Sequence, residues 1–324
     1  MAPLKRLAFL FLMVLCGAAT ADAALVRDEA FEQWLQGLQM EAVADGVSAP
    51  TAQNVLSDVE LDDRVLALDG KQPETTITFE DYVRRTITAD RVAEGRRLLR
   101  ENAATLEEVG KRYSVQPKII VALWGVESSF GRNSGDFSVI DALVTLAYGG
   151  RRAEFFRKEL LNALHIIDQQ HMKAAELRGS WAGAMGQCQF MPSTYLHFAA
   201  SFTNSSPNIW DNQADVFASI ANYIAAEGWR GDRDWGYEVT LVRDIPETDV
   251  GLTKKQPVID WEQEGVRGIN GESLPDSPVE MSLIAPDGAG GRHFLVSDNF
   301  RALMRWNHST FFATSIGLLA DRIE

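Results

Sequence analysis

Hydrophobic residues recur through residues 25–110 at the three-to-four-residue spacing of amphipathic helices. In "DEAFEQWLQGLQMEAVADG", Phe31, Trp34, Leu35 and Leu38 share one face, and Gly46 suits a C-terminal stop. A further helix is predicted through "TADRVAEGRRLLRENAATLEEVGKRY", with charge on its outer side. From about 115 to 230 the helical period continues, broken by "FGRNSGD", "AYGGRR", "RGSWAGAMGQ" and "TNSSPN". After Gly231 the period changes. "YEVTLVR" alternates as a strand does, and "MSLIAPDGAGGRHFLVS" reads as two strands around a Gly-rich turn. The closing "NFRALMRWNHSTFFATSIGLLADRI" returns to helix. The predicted fold is mainly α (α+β), a helical core whose final helix returns after a β-rich excursion.

The N-terminus follows a different pattern. "MAPLKRLAFLFLMVLCGAATADAA" carries Lys5 and Arg6, then an apolar stretch from Leu7 to Leu15, then small residues, the order of a secretory leader. Ala19-Thr20-Ala21 is the first-choice cleavage motif and Ala21-Asp22-Ala23 the second. An anchor helix is the alternative, but the apolar core is shorter than the roughly 20 residues a span needs. Cys16 raises a lipid-modified form, which the bulky Leu15 before it fits poorly. The reading is a periplasmic protein exported by a leader at 1–21, with no membrane-spanning segment downstream.

Composition narrows the partners. The chain has 46% hydrophobic and 23% charged residues, as an ordinary folded protein does. Loss of the leader removes Lys5 and Arg6 and no acid, taking the formal net charge from −14 to −16. Such an acidic protein does not suit nucleic acid, whose phosphates need Lys and Arg. Cys16 would go with the leader, leaving Cys188 alone and no internal disulfide in an oxidising compartment.

One carboxylate stands out. In "IIVALWGVESSFGR", Pro117 suits a helix start and Gly131 a stop, which predicts one helix over 117–130. Ile120, Leu123, Glu127 and Phe130 then share a face, while Val121, Ala122, Trp124 and Gly125 make the other side apolar as well. A helix apolar nearly all round is a buried one. A carboxylate in such surroundings is held protonated to higher pH and can donate a proton to a leaving oxygen. The alternatives are a pairing of Glu127 with Arg132 or a side chain turned to solvent.

Three more stretches set polar groups among apolar ones. "GSWAGAMGQCQFMPSTY" packs small residues around Ser180, Gln187 and Gln189 before a helix starting at Pro192. Small residues would let a bulky ligand approach the backbone, and a tight packing joint would use them equally. No strand precedes these glycines and no phosphate-loop lysine follows, so they do not read as a nucleotide site. "RWNHSTFF" mixes hydrogen-bonding and aromatic side chains, and "YGGRRAEFF" offers two adjacent arginines for a carboxylate or a helix end.

"GVESSFG", "RRAEFF", "GSWAGAMGQCQFMPSTY", "ANYIAAEGW" and "RWNHST" occur in this order. Together they resemble the membrane-bound lytic murein transglycosylase B family (glycoside hydrolase family 103), whose core is lysozyme-like. The resemblance covers roughly residues 75–320. It implies cleavage of the bond between N-acetylmuramic acid and N-acetylglucosamine in peptidoglycan, with one glutamate, Glu127, as acid and then base. The C6 hydroxyl of the muramic acid would attack C1 and leave a 1,6-anhydro end without water. An internal nucleophile has a high effective concentration, which agrees with a single carboxylate.

By the same resemblance Ser180 and Asn307 hydrogen-bond the reacting sugar, Gln189, Tyr223 and Tyr82 line its groove, and Arg152 meets the peptide stem. Trp181 and Trp306 offer apolar faces to sugar rings or to the core. The implied division is a leader at 1–21, an N-terminal helical region at 22–110, a lysozyme-like catalytic core at 111–235, a β-rich insertion at 236–298 and a C-terminal helix at 299–324. The implied partner is the peptidoglycan glycan strand, with no cofactor.

The chain departs from the family pattern in places. Some members bind calcium in the loop equivalent to "SFTNSSPNIWDNQAD", whose only acids here are Asp211 and Asp215, so no metal site is expected. Trp306 and Phe312 stand where relatives carry tyrosine, and Cys188 where they carry a small residue. The rival readings are a hydrolytic muramidase, which would keep Glu127 but admit water, and a non-catalytic peptidoglycan-binding scaffold.

Overall fold

The computed structural model describes residues 27–70, 77–203 and 205–324. The leader and Cys16 lie outside them. Along the chain run helices α1 (Glu29–Ala44), α2 (Ala49–Ser57), α3 (Asp63–Gly70), α4 (Phe79–Thr86), α5 (Ala89–Glu101), α6 (Ala103–Tyr113) and α7 (Pro117–Ser128). Strand β1 (Phe137–Ser138), α8 (Val139–Gly149), α9 (Ala153–Gln170), β2 (Arg178–Gly179), α10 (Pro192–Phe198) and α11 (Gln213–Ala226) follow. The last third holds β3 (Gly236–Leu241), β4 (Gln256–Pro257), α12 (Val258–Gln263), β5 (Val266–Gly268), β6 (Glu280–Ile284), β7 (His293–Val296), α13 (Asp298–Trp306) and α14 (Thr310–Ile323). Many helices begin where a short polar side chain caps the free backbone amides. Asp28, Ser48, Thr78, Thr88, Ser138 and Ser309 each accept from the N–H three residues on.

Two compact units share the described residues, one formed by 77–126 with 221–324 and the other by 27–70 with 127–203 and 205–220. The divisions fall inside α7, between Val126 and Glu127, and inside α11, between Ile220 and Ala221.

In the unit that contains α1–α3 and α8–α10, Phe31, Leu35 and Leu38 of α1 are buried, as their spacing predicts. Helices α8 and α9 pack together, α2 against α9 and α3 against α8. Polar ties fix the frame: Asp168 of α9 accepts from the Ser48 and Thr51 hydroxyls at 2.5 and 2.6 Å. Strand β1 pairs antiparallel with β2, Phe137 opposite Gly179, and β2 delivers the chain to Ser180.

The other unit joins α4–α6 and α12–α14 to a five-stranded sheet of order β4-β6-β7-β3-β5, with antiparallel neighbours throughout. Beneath it Val239, Val258, Trp261, Val266, Met281, Leu283 and Leu295 form one apolar cluster. Each such large side chain contributes about 1.5–3 kcal/mol by leaving water. The Trp261 indole N–H donates to the Met281 carbonyl at 2.8 Å, so its polar edge is satisfied inside this core.

Three predicted helices end differently in the structure. The stretch 88–113 is two helices broken at Asn102, whose amide side chain donates to the Leu98 carbonyl at 2.9 Å and competes with the helical ladder. The C-terminal stretch is also two, because Asn307 is extended (φ −142°) and Ser309 caps a new helix. The helix carrying Glu127 stops at Ser128, not Phe130. Ser129, Phe130 and Gly131 all have positive φ (52°, 61° and 80°), so the stop begins two residues before the glycine.

Candidate functional site

Helix α7 is buried from Ile119 to Gly125 and emerges at its last turn, where Glu127 is half-buried. The run of left-handed residues after it turns the chain sharply. Left-handed backbone costs an ordinary residue about 1–2 kcal/mol, so the surroundings must hold Ser129 and Phe130 in place. The Ser128 hydroxyl accepts from the Gly131 N–H at 3.0 Å, and the Ser128 carbonyl from Asn133 at 2.8 Å.

The small-residue stretch folds back on itself. Ser180 N–H donates to the Ala184 carbonyl at 2.8 Å, and Met185 and Phe190 exchange backbone bonds at 2.8 and 3.2 Å. A Cβ on Gly135 would lie 2.7 Å from the Ser180 nitrogen, so only glycine lets these two segments meet. Ser180 is buried, and its oxygen accepts from the Ala182 and Ala184 amides at 3.3 and 3.1 Å. Its hydroxyl hydrogen remains the group it can offer a ligand. Gln189 is left-handed (φ 51°), and its side-chain NH₂ donates to the Ser134 and Gly186 carbonyls at 2.9 and 2.8 Å. Its Oε1 is therefore the atom left to accept from a ligand.

Glu127, Ser180 and Gln189 thus belong to two segments of one unit, 127–135 and 179–190, that touch along their length. Arg152 lies in the same unit at the N-terminal end of α9. It stacks over Phe155 and Phe156 at 5.5 and 4.9 Å from their ring centres, and burial lowers its pKa. Its neighbour Arg151 pairs with Asp69 at 3.5 Å, and the Asp69 charge also offsets part of the lowering at Arg152. Between Cys188 and Glu127 there is an electrostatic link: burial, with the Glu127 carboxylate adding, pushes the Cys188 thiol well up. The thiol donates to the Val216 carbonyl at 3.6 Å.

The other unit holds Tyr82, Tyr223 and Asn307. The Tyr223 hydroxyl donates to the Arg305 carbonyl at 2.7 Å, and its ring meets Trp306 edge-on at 4.8 Å. Asn307 follows as the C-cap of α13 and is buried. Tyr82 is buried on α4 against Phe311, ring centres 5.8 Å apart.

The calcium chemistry of the family pattern does not fit the loop 201–215. Asp215 is buried, and its two oxygens accept from the Phe202 and Asn208 backbone amides at 2.7 and 2.9 Å. Early in the loop Ser201, Thr203 and Ser205 supply hydroxyls, which are weak ligands for a hard cation. Among the described residues no group of three His, Cys, Asp or Glu side chains could hold a metal ion. A cavity of about 550 Å³ lined by Thr51, Val55, Asp141, Lys173 and Arg178 contains none of the candidate residues.

The importance of Gln187 and Cys188 was not assigned from the sequence. The alternation of polar and buried residues in "GQCQF" was the available signal. Gln187 proves to pack on Gly131 in the turn after Glu127, and the Cys188 thiol is turned to Val216.

A mainly helical fold that ends a buried helix on a carboxylate beside a self-closing polar loop is that of the lysozyme-like glycan-cleaving enzymes. Residues 30–321 match the Transglycosylase SLT domain, and the chain belongs to that family of lytic transglycosylases. It is 32% identical over 291 residues to membrane-bound lytic murein transglycosylase B of Escherichia coli, covering 86% of this chain and 79% of that protein. The crystal structure of SltB3 from Pseudomonas aeruginosa in complex with NAG-anhNAM-pentapeptide is similar with a TM-score of 0.87 and 40% identity, over 91% of this chain and 79% of that one. The Escherichia coli lytic transglycosylase SLT35 in complex with calcium is similar with a TM-score of 0.76 and 30% identity, over 89% and 92%. Among the described residues no helix is long and apolar enough to cross a membrane.

Proposed function

We propose that this lytic transglycosylase cuts the β-1,4 bond between N-acetylmuramic acid and N-acetylglucosamine in peptidoglycan, with Glu127 as its acid and base. The observation that carries the assignment is the place of Glu127, where a buried apolar helix surfaces beside the folded polar loop. Glu127 protonates the glycosidic oxygen as the bond to C1 breaks, and the departing N-acetylglucosamine keeps that proton as its hydroxyl. Positive charge develops at C1 and the ring oxygen of the muramic acid. The C6 hydroxyl of that sugar then bonds to C1 and gives its proton to the ionised Glu127. The product is a 1,6-anhydro end, and Glu127 is returned protonated. The SltB3 complex with an anhydro sugar supports this product.

Ser180 donates its hydroxyl hydrogen to the reacting sugar, and Gln189 accepts through Oε1. The family resemblance further assigns Asn307 to hydrogen-bonding the sugar, Tyr223 and Tyr82 to a groove lining, and Arg152 to the carboxylates of the peptide stem. The enzyme works in the periplasm on glycan strands, without a metal. The leader pattern around Lys5 and Arg6 supports that location.

The test is mass spectrometry of fragments released from purified peptidoglycan by residues 22–324 and by the Glu127→Gln variant. Fragments one water lighter than hydrolysis products, absent with the variant, are expected. Fragments carrying the full water would make the protein a hydrolytic muramidase. Wall binding with no release by either protein would make it a scaffold.

A further inference from the structure

We propose that Gln187 is a positioning residue for Glu127, acting through the left-handed turn that ends α7. The inference rests on the reading of Glu127 as the acid. Two residues of the polar loop, Gln187 and Gln189, each touch the segment that begins with Glu127. The Gln187 side-chain amide packs on Gly131, so tightly that a Cβ there would overlap its Oε1 and lie 2.6 Å from its Cδ. Gln189 donates to the Ser134 carbonyl at 2.9 Å.

Gln187 is also anchored on a third segment. Its side-chain N–H donates to the Trp210 carbonyl at 2.6 Å, and its backbone N–H to the Ile209 carbonyl at 2.8 Å. Gly186 before it is also pressed to Ile209, where a Cβ would lie 2.7 Å from the carbonyl oxygen. The amide of Gln187 is therefore fixed at both ends, by the 209–210 backbone on one side and Gly131 on the other.

The turn it presses on has a backbone preference to escape. Ser129 and Phe130 are left-handed without being glycine, at φ 52° and 61°. A chain released there gains by relaxing toward ordinary backbone, which would rotate the last turn of α7 and with it Glu127. Proton transfer to a glycosidic oxygen depends on sub-ångström placement of the acid, and a displacement of about 1 Å costs on the order of 100-fold in rate.

The experiment compares the mature protein with Gln187→Met, which keeps length and bulk but cannot hold the Trp210 carbonyl. Measured are kcat and KM for anhydro-product release, the ¹³C titration of the Glu127 carboxyl (assigned with Glu127→Gln) and the thermal midpoint. The expected result is a kcat lower by about 10- to 100-fold, a KM within about twofold and a displaced Glu127 titration at temperatures where the variant is fully folded. An unchanged Glu127 titration, or a kcat loss that only follows unfolding, overturns the proposal. Should Gln187→Met fail to fold, Gly131→Ala displaces the same amide from the opposite side and must move the Glu127 titration alike. If the wild type releases no anhydro fragments, the reading of the function falls, while the Glu127 titration still judges the brace.

Discussion

Both carboxylate oxygens of Asp287 accept the backbone N–H of Phe79, at 2.7 and 2.8 Å, across 208 positions of sequence. Asp287 lies in the Gly-rich turn between β6 and β7, and Phe79 is the first residue of α4, the helix that carries Tyr82. A negative charge at a helix N-terminus both fills a free amide and meets the positive end of the helix dipole. Arg292, next to β7, adds ion pairs to Glu238 at 2.5 Å and Glu80 at 3.5 Å and lies over the Phe79 ring. One role of the β-rich excursion is thus to hold α4.

Replacing Asp287 with alanine should therefore destabilise the protein by about 1–2 kcal/mol. Asp287→Asn should cost less, since it still accepts from Phe79. Urea unfolding followed by circular dichroism reads the difference. Equal losses for both variants would show that the charge, not the hydrogen bond, dominates.

Glu159 of α9 is buried and accepts from both the backbone N–H and the hydroxyl of Ser193, at 2.9 and 2.8 Å. Burial raises its pKa above the usual 4.5, against the lowering by its two Ser193 bonds. The folded state thus binds this proton more tightly than the unfolded chain. Its contribution to stability is full below about pH 4.5 and is lost as pH rises through the raised folded value. Glu159→Gln, which does not titrate, should remove that part of the decline. Unfolding free energies measured from acid to neutral pH check this, and parallel curves for the two proteins would refute it.

The Cys188 thiol should be inert in the folded protein. Burial and the nearby Glu127 carboxylate both disfavour the thiolate, which is the reactive form. At about pH 8 a thiol reagent should label it slowly in the native protein and rapidly in concentrated guanidinium chloride. Glu127→Gln removes one of the two causes and should speed native labelling modestly. Fast labelling of the native wild type would contradict the burial.

Gly317, in the middle of α14, faces Trp235, and a Cβ there would lie 2.7 Å from the indole Cε3 and nearer still to two other ring atoms. Trp235 is fully buried and donates to Asp321 at 3.0 Å, so it has little freedom to withdraw. Gly317→Ala should lose about 1–3 kcal/mol to overpacking, although alanine favours helix by about 1 kcal/mol. A lowered thermal midpoint is the expected readout; a raised one would mean the ring moves aside freely.

Much of this arrangement is legible along the chain. The spacing of Phe31, Leu35 and Leu38 sets the buried face of α1, and the alternation in "YEVTLVR" marks β3, because both patterns follow from local geometry. The break at Asn102 and the early stop of α7 were not legible. Asn102 continues a helical period in sequence, and its competing bond to Leu98 appears only once the helix forms. Ser129 and Phe130 carry no turn signal of their own, since their left-handed backbone is imposed from outside.

By itself the sequence determined the mainly helical class, the helix that carries Glu127 and the ordered motifs of the SLT-domain transglycosylases. These are properties of neighbours in sequence, set by period, caps and glycine. The tertiary structure alone decided what Gln187, Cys188, Asp287 and Trp235 do. Gln187, Asp287 and Trp235 each act on a partner far along the chain, Gly131, Phe79 and Gly317 in turn, and the Glu127 charge bears on Cys188; such proximity exists only when a packed interior brings distant segments together.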